Sequence, residues 1–138
     1  MSTEIVTVRP ELPTETLQRL PNFVGISEVT AGATGLSMNL VSIPPGAQAE
    51  PHLHVGFETA IYLLKGRVET RYGENLGQSV INREGDFIFI PAGVPHQPRN
   101  LSDTESALAV VARNNANEQE TVQLYRPECD DADPEKTD

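Results

Sequence analysis

Cysteine is almost missing from this chain: Cys129 is the single one among 138 residues. No intrachain disulfide is possible, and the acidic neighbours Asp130 and Asp131 disfavour the thiolate that a nucleophilic cysteine needs. Positive charge is scarce as well. Ten lysines and arginines stand against twenty aspartates and glutamates, a formal net charge of −10. Nucleic acid and anionic membrane surfaces call for the opposite balance. No apolar run approaches the roughly 20 residues of a membrane-spanning helix. The stretch from Met1 to Pro13 has neither the basic start nor the apolar run of a signal peptide. These absences lead us to expect a cytoplasmic protein whose partner is a small molecule, with no nucleic acid and no membrane.

What the chain does have is punctuation. Eleven prolines and ten glycines are many for a helical protein and suit short strands joined by turns. Apolar or alternating runs lie at Leu36–Ile43, Thr59–Leu64, Arg67–Tyr72, Gln78–Asn82, Phe87–Ile90 and Ala107–Arg113, each stopped by glycine, proline or a polar turn. Glu4–Arg9 and Thr121–Tyr125 read as edge strands, Thr14–Leu20 as one helical turn, and Thr30–Gly35 as a turn. The expected organisation is an N-terminal arm over residues 1–30, a β-barrel over 31–114, a loop with a last edge strand over 115–128, and a disordered acidic tail over 129–138.

Only three histidines occur, His52, His54 and His96. In an extended chain, His52 and His54 point to the same face with Cα atoms about 6.5 to 7 Å apart, a spacing from which two imidazoles can reach one metal ion. Glu58 can add a carboxylate if the chain bends at Val55-Gly56-Phe57. His96 follows Pro91-Ala92-Gly93-Val94-Pro95, a rigid turn that can aim it at the other three. Glu50 shares parity with His52 and His54 and is the rival oxygen ligand.

These residues sit in two motifs that resemble those of the cupin superfamily. The first motif, G-x5-H-x-H-x3,4-E-x6-G, is met by Gly46, His52, His54 and Glu58. Its closing glycine, Gly66, comes after seven residues rather than six. A one-residue excess of this kind is what a β-bulge would absorb. The second, G-x5-P-x-G-x2-H-x3-N, is met at every position by Gly85, Pro91, Gly93, His96 and Asn100. The resemblance implies an all-β fold, a double-stranded β-helix or jelly roll, with one divalent metal ion inside one end of the barrel. It implies His52, His54, Glu58 and His96 as ligands, selects Glu58 over Glu50, and implies a homodimer.

Three nitrogens and one oxygen leave open positions on the ion, as a catalytic site requires. Iron, manganese, nickel and zinc all accept this set. The leading expectation is an oxygenase-like, metal-dependent enzyme acting on a small organic molecule. The alternatives are a sugar isomerase or epimerase, which is disfavoured because no lysine or arginine clusters near the histidines in sequence, and a non-enzymatic binding or sensing module. Tyr62, which shares strand parity with Glu58, is the candidate catalytic residue, and Gln97, Arg99 and Met38 are further candidates for the pocket wall.

Overall fold

Between the prolines and glycines, the alternating runs take up strand. The computed structural model describes residues 3–9, 14–15, 20–117 and 122–127. Its strands are β1 (Thr14–Glu15), β2 (Pro21–Ile26), β3 (Ser37–Ile43), β4 (His52–His54), β5 (Thr59–Lys65), β6 (Arg67–Tyr72), β7 (Gln78–Arg83), β8 (Phe87–Ile90), β9 (His96–Asn100), β10 (Ala107–Arg113) and β11 (Val122–Leu124). One short helix, α1 (Glu28–Ala31), and a 3-10 turn at Glu74–Leu76 complete the described elements.

The strands form two antiparallel sheets. One has the order β1-β2-β3-β10-β5-β8, the other β11-β4-β9-β6-β7. From β3 to β6, and again from β8 to β11, consecutive strands fall on opposite sheets. This back-and-forth wrap is a jelly roll, the double-stranded β-helix.

Period-two alternation decides what lies between the sheets. On the first sheet the inward rows are read from the register. Ile43 pairs with Ala107 at one end, Asn39 with Val111 and Val111 with Ile61 in the middle, and Ser37 with Arg113 and Arg113 with Thr59 at the other end. On the second sheet Val68 pairs with Asn100 at the first end, and Tyr72 with His96 at the other. The apolar core of Leu20, Ile43, Ala49, Leu63, Val68, Ala107, Ala109 and Val111 therefore fills one end and the middle. The far end is polar and holds the histidines.

The extra residue between Glu58 and Gly66 is a bulge in β5. Leu108 of β10 faces Lys65, but the next residue, Ala109, faces Leu63, so Leu64 has no partner and is pushed outward. Gly66 then turns the chain from one sheet to the other at φ +100°. A Cβ on it would stand 2.8 Å from the Cβ of Ala107. Strain at positive φ and a clash against a closely packed neighbour add together. Gly66→Ala is expected to cost about 2 to 4 kcal/mol in urea unfolding. A loss below about 0.5 kcal/mol, the size of an ordinary surface change, would show that the corner relaxes.

The N-terminal third departs from the sequence reading. Glu4–Arg9 forms no strand. Ile5 is 98% exposed, so this stretch buries too little to be held against a sheet. Thr14 and Glu15 are not helical but pair with Asn22 and Pro21. Strand β2, which the sequence did not announce, is hydrogen-bonded along β3, with an irregularity between Val24 and Ile26. Part of the expected turn at Thr30–Gly35 is the end of α1. Ser27 and Thr30 form a reciprocal capping box there, and Gly32 closes the helix in the left-handed conformation. Residues 16–19, the acidic tail at 129–138 and Cys129 lie outside the described residues.

Candidate metal centre

Strand β4 is three residues long, and both of its histidines face inward. It lies between β11, where Leu124 pairs with His52 and Val122 with His54, and β9, where His96 stands directly opposite His52. The proline turn before β9 is held at both ends. The Gly93 amide donates to the His54 carbonyl at 2.9 Å and the Gly73 amide to the Pro95 carbonyl at 3.0 Å. The sequence thus delivers three imidazoles to one place by backbone pairing, before any ion is considered. Their ring centroids are 4.3 to 5.6 Å apart, and one ligating nitrogen from each lies within 4.8 Å of the others.

The tautomers follow from the hydrogen bonds. His52 Nδ1 is 2.8 Å from the Glu50 carbonyl, and His96 Nδ1 is 2.9 Å from the Val94 carbonyl. A carbonyl can only accept, so each Nδ1 carries the proton and each Nε2 keeps its lone pair. This is the arrangement that prepares a histidine for a metal. His54 differs. It is 2% exposed, and neither ring nitrogen has a partner. An imidazole sealed in with both nitrogens unsatisfied costs roughly 1 to 3 kcal/mol per unmet bond, and coordination of an ion by one nitrogen removes part of that cost. Two nitrogens on one ion with ~2.1 Å bonds are about 3 to 3.4 Å apart, so sharing an ion would draw these nitrogens together by up to about 1.5 Å. The donor set fits a divalent transition metal.

All three rings are held neutral. Burial is the largest cause for each. It takes His52 to a pKa of about 3, with the nearby His96 lowering it further and the Glu50 carbonyl opposing. His54 falls to about 2, where burial is joined first by the Arg113 guanidinium and then by the other two rings. His96 falls to about 4, burial being opposed by the Val94 carbonyl and reinforced by Arg113.

The other residues read from the sequence lie elsewhere. Glu58 is exposed just before β5, its backbone amide donates to Asn114 Oδ1 at 2.9 Å, and it is not part of the histidine group. Tyr62 does share its parity, but that parity belongs to the outer face: Thr59, Ile61 and Leu63 point inward, while the Tyr62 ring packs on Phe87 with centroids 4.8 Å apart. Met38 is half exposed. Gln97 donates to the Ala49 carbonyl, and Arg99 pairs with Glu69 at 3.6 Å. With Gln48 and Arg71 these residues line a separate polar recess.

The inner wall is made instead by residues the sequence did not single out. A cavity beside His52 and His96 is lined by Asn22, Asn39, Thr59 and Arg113 among others. Arg113 is far from every histidine in sequence, and the β10–β5 ladder brings it in. The sequence shows no cluster of basic residues near the histidines; in space one guanidinium, that of Arg113, lines the cavity beside them.

A family model described as "Cupin domain" matches residues 39–112. The chain is 33% identical over 103 residues to oxalate decarboxylase OxdC of Bacillus subtilis, covering 70% of this chain and 26% of that protein. It is 30% identical over 83 residues to polyketide synthase CurC of Streptomyces cyaneus, covering 60% and 52%. It thus spans between 26% and 52% of the length of these curated relatives. A solved structure of the Bacillus subtilis oxalate decarboxylase, studied for its Mn(II) centres, superposes with a TM-score of 0.68 at 18% identity, over 83% of this chain and 30% of that one. The jelly roll, the two motifs and the family match over the strands that carry the histidines lead to one conclusion: the chain belongs to the cupin family.

Proposed function

We propose that this cupin is a metal-dependent enzyme, oxygenase-like in its chemistry, acting on a small organic acid. One divalent transition metal ion would be held by Nε2 of His52 and His96 and by a ring nitrogen of His54. Glu58 would complete the set from the rim when its side chain turns inward. The observation that carries the reading is His54, a buried imidazole with two unsatisfied nitrogens beside two rings whose Nδ1 hydrogen bonds leave Nε2 unprotonated. The ion would supply Lewis-acid and one-electron chemistry at its open positions. The chain's own residues fix the ring tautomers, keep the rings neutral and shape the cavity. The acid substrate is favoured by the relatives named for oxalate chemistry and by a cation, Arg113, in the cavity wall.

The test begins with metal content, measured on protein purified without chelator or nickel resin. The wild type is expected to carry or take up one equivalent of manganese(II), and His54→Leu to weaken it at least 100-fold. His54→Leu should also leave the metal-free fold as stable or about 1 to 3 kcal/mol more stable, because it removes unmet polar atoms without changing volume much. Glu58→Gln is expected to weaken the metal and Glu50→Gln to leave it unchanged. Consumption of oxalate or another small acid by the loaded wild type, absent in His54→Leu, would support an enzyme. Metal bound equally by wild type and His54→Leu would remove the site. Full loading with no acid consumed and no oxygen taken up would leave a binding module.

A further inference from the structure

The two sheets differ on their outer sides. On the second sheet the outward residues alternate with the inward Val68 and Tyr72, and most are polar or charged. Arg67 pairs with Arg83, Glu69 with Ile81 and Arg99, and Arg71 with Ser79 and Gln97. That is the ordinary pattern for an antiparallel sheet with one solvated face. On the first sheet the outward rows are apolar from strand to strand. One row crosses five strands, from Phe23 through Leu40, Val110 and Tyr62 to Phe87. The next runs from Met38 through Ala112 and Ala60 to Phe89. No charged side chain stands in either row, and none of these residues is buried. Phe87 is 84% exposed and Phe89 60%. At roughly 200 Å² for a phenylalanine, these two alone leave about 300 Å² of apolar surface in water.

Strand β8 adds to the liability. It is the edge of its sheet, and Phe87-Ile88-Phe89-Ile90 has no charge, proline or bulge, the devices that keep an exposed edge from pairing with other chains. A face of this kind is covered in water by something apolar. A second copy of the chain fits it in size. Five strands about 4.8 Å apart, with up to seven residues rising about 3.4 Å each, make a face of roughly 24 by 20 Å. Leu64, pushed out by the bulge and 44% exposed, extends it. With the relief of its side chains, such a face approaches the roughly 800 Å² per partner that a stable pair buries. A second copy fits it in charge as well. The chain is acidic overall, and two copies meet with least repulsion, and no charge to desolvate, on the face that carries none. We propose that two copies of this chain pack through the outer face of the first sheet, about a two-fold axis near Val110 and Tyr62, as aligned sheets do in a sandwich.

The experiment is sedimentation velocity on the full chain over about 1 to 100 µM, a range that separates tight pairs from weak ones. One chain weighs 15.0 kDa, and the wild type is expected to run at twice that mass across most of the range. The double variant Phe87→Glu, Phe89→Glu sets two charges into the joint and should weaken the pair at least ~100-fold, giving a monomer with unchanged far-UV circular dichroism. Both side chains face solvent in the single chain, so their loss leaves the core intact. Phe87→Ser, which removes one ring and adds no charge, should weaken the pair about tenfold and decides the matter should the double variant not fold. Ile81→Glu, on the outer side of the second sheet, should leave the pair unchanged. A wild type that stays monomeric to the top of the range would assign the face to another partner and overturn the proposal. So would a pair that survives the phenylalanine substitutions at wild-type strength, or one that only Ile81→Glu breaks. A mass that climbs with concentration beyond two chains would show open stacking in place of a closed pair, and overturns the two-fold arrangement.

Discussion

Acidification from pH 7 to pH 4.5 is expected to bring the metal-free protein close to unfolding, and a bound divalent ion to delay that loss. The cause is the three buried imidazoles, whose pKa values stand at about 3, 2 and 4 in the fold. In the unfolded chain each returns to about 6.5. Above pH 6.5 both states carry the rings neutral, and the histidines give no pH dependence. Below it the unfolded chain takes up protons that the folded chain refuses, so stability falls as pH falls, until His96 begins to titrate near pH 4. One such histidine changes the unfolding free energy by about 1.4 kcal/mol per pH unit, and three by about 4. Two units of pH therefore remove on the order of 8 kcal/mol, as much as many small domains possess. An ion that needs all three lone pairs binds the folded state alone. At a thousandfold excess over its dissociation constant it adds about 4 kcal/mol, although protons compete for the same nitrogens as pH drops below about 6. The measurement is a series of urea or thermal unfolding curves from pH 7.5 to 4.5, with chelator and with manganese. A melting temperature that stays level between pH 7 and pH 5 with chelator would show that the rings are protonated in the fold or are not shielded as described.

The histidine cluster was legible from the chain because it is written twice, once as H-x-H and once at a fixed distance from Pro91 and Gly93. Neither depends on knowing which face of a strand is inside. The one-residue excess before Gly66 was legible as well, and the fold shows where it is absorbed, at Leu64. The wall of the cavity was not. The sequence reading set the inward phase of β5 from Glu58, and this placed Tyr62 inside. The phase is in fact set by Thr59, Ile61 and Leu63, whose burial against β10 fixes the strand. Arg113 was out of reach for a different reason. Its nearness to the histidines is a product of the β10–β5 pairing, a contact across 54 residues of chain that no local spacing encodes. Strand β2 was missed because Pro21-Asn22-Phe23-Val24-Gly25-Ile26 carries both a proline and a glycine, which mark it as a breaker. Here the proline opens the strand, and the glycine falls at the irregularity in its ladder with β3, where a Cβ would meet the Met38 carbonyl at 2.7 Å.

Asn100→Asp is expected to destabilise the barrel by about 4 kcal/mol or more, with a smaller effect on the metal site of whatever fraction remains folded. The side chain is 2% exposed at the apolar end of the barrel. Its Nδ2 points at three carbonyls, those of Ile43 at 2.9 Å, Pro44 at 3.2 Å and Glu105 at 2.7 Å. Its Oδ1 accepts from the Ser102 amide at 2.9 Å. One amide thus ties the exit of β3 to the loop that enters β10, two strands paired along their whole length but joined by no nearby chain. Aspartate keeps the acceptor and the shape but turns the donor into a second oxygen. Three carbonyls would lose their donor, at roughly 1 to 3 kcal/mol for each unmet group, and an unpaired carboxylate would be sealed against them. For a domain of this size, 4 kcal/mol lowers the melting temperature by roughly 12 °C. Asn100→Ser, which removes the contacts without adding charge, should fall between the two. Asn100 and His96 share the inward face of β9 but stand at opposite ends of it. If the asparagine serves the barrel, manganese affinity per folded molecule stays within a few-fold of wild type at a temperature where both are folded. A hundredfold loss of metal with little change in melting temperature would place its role at the histidines instead.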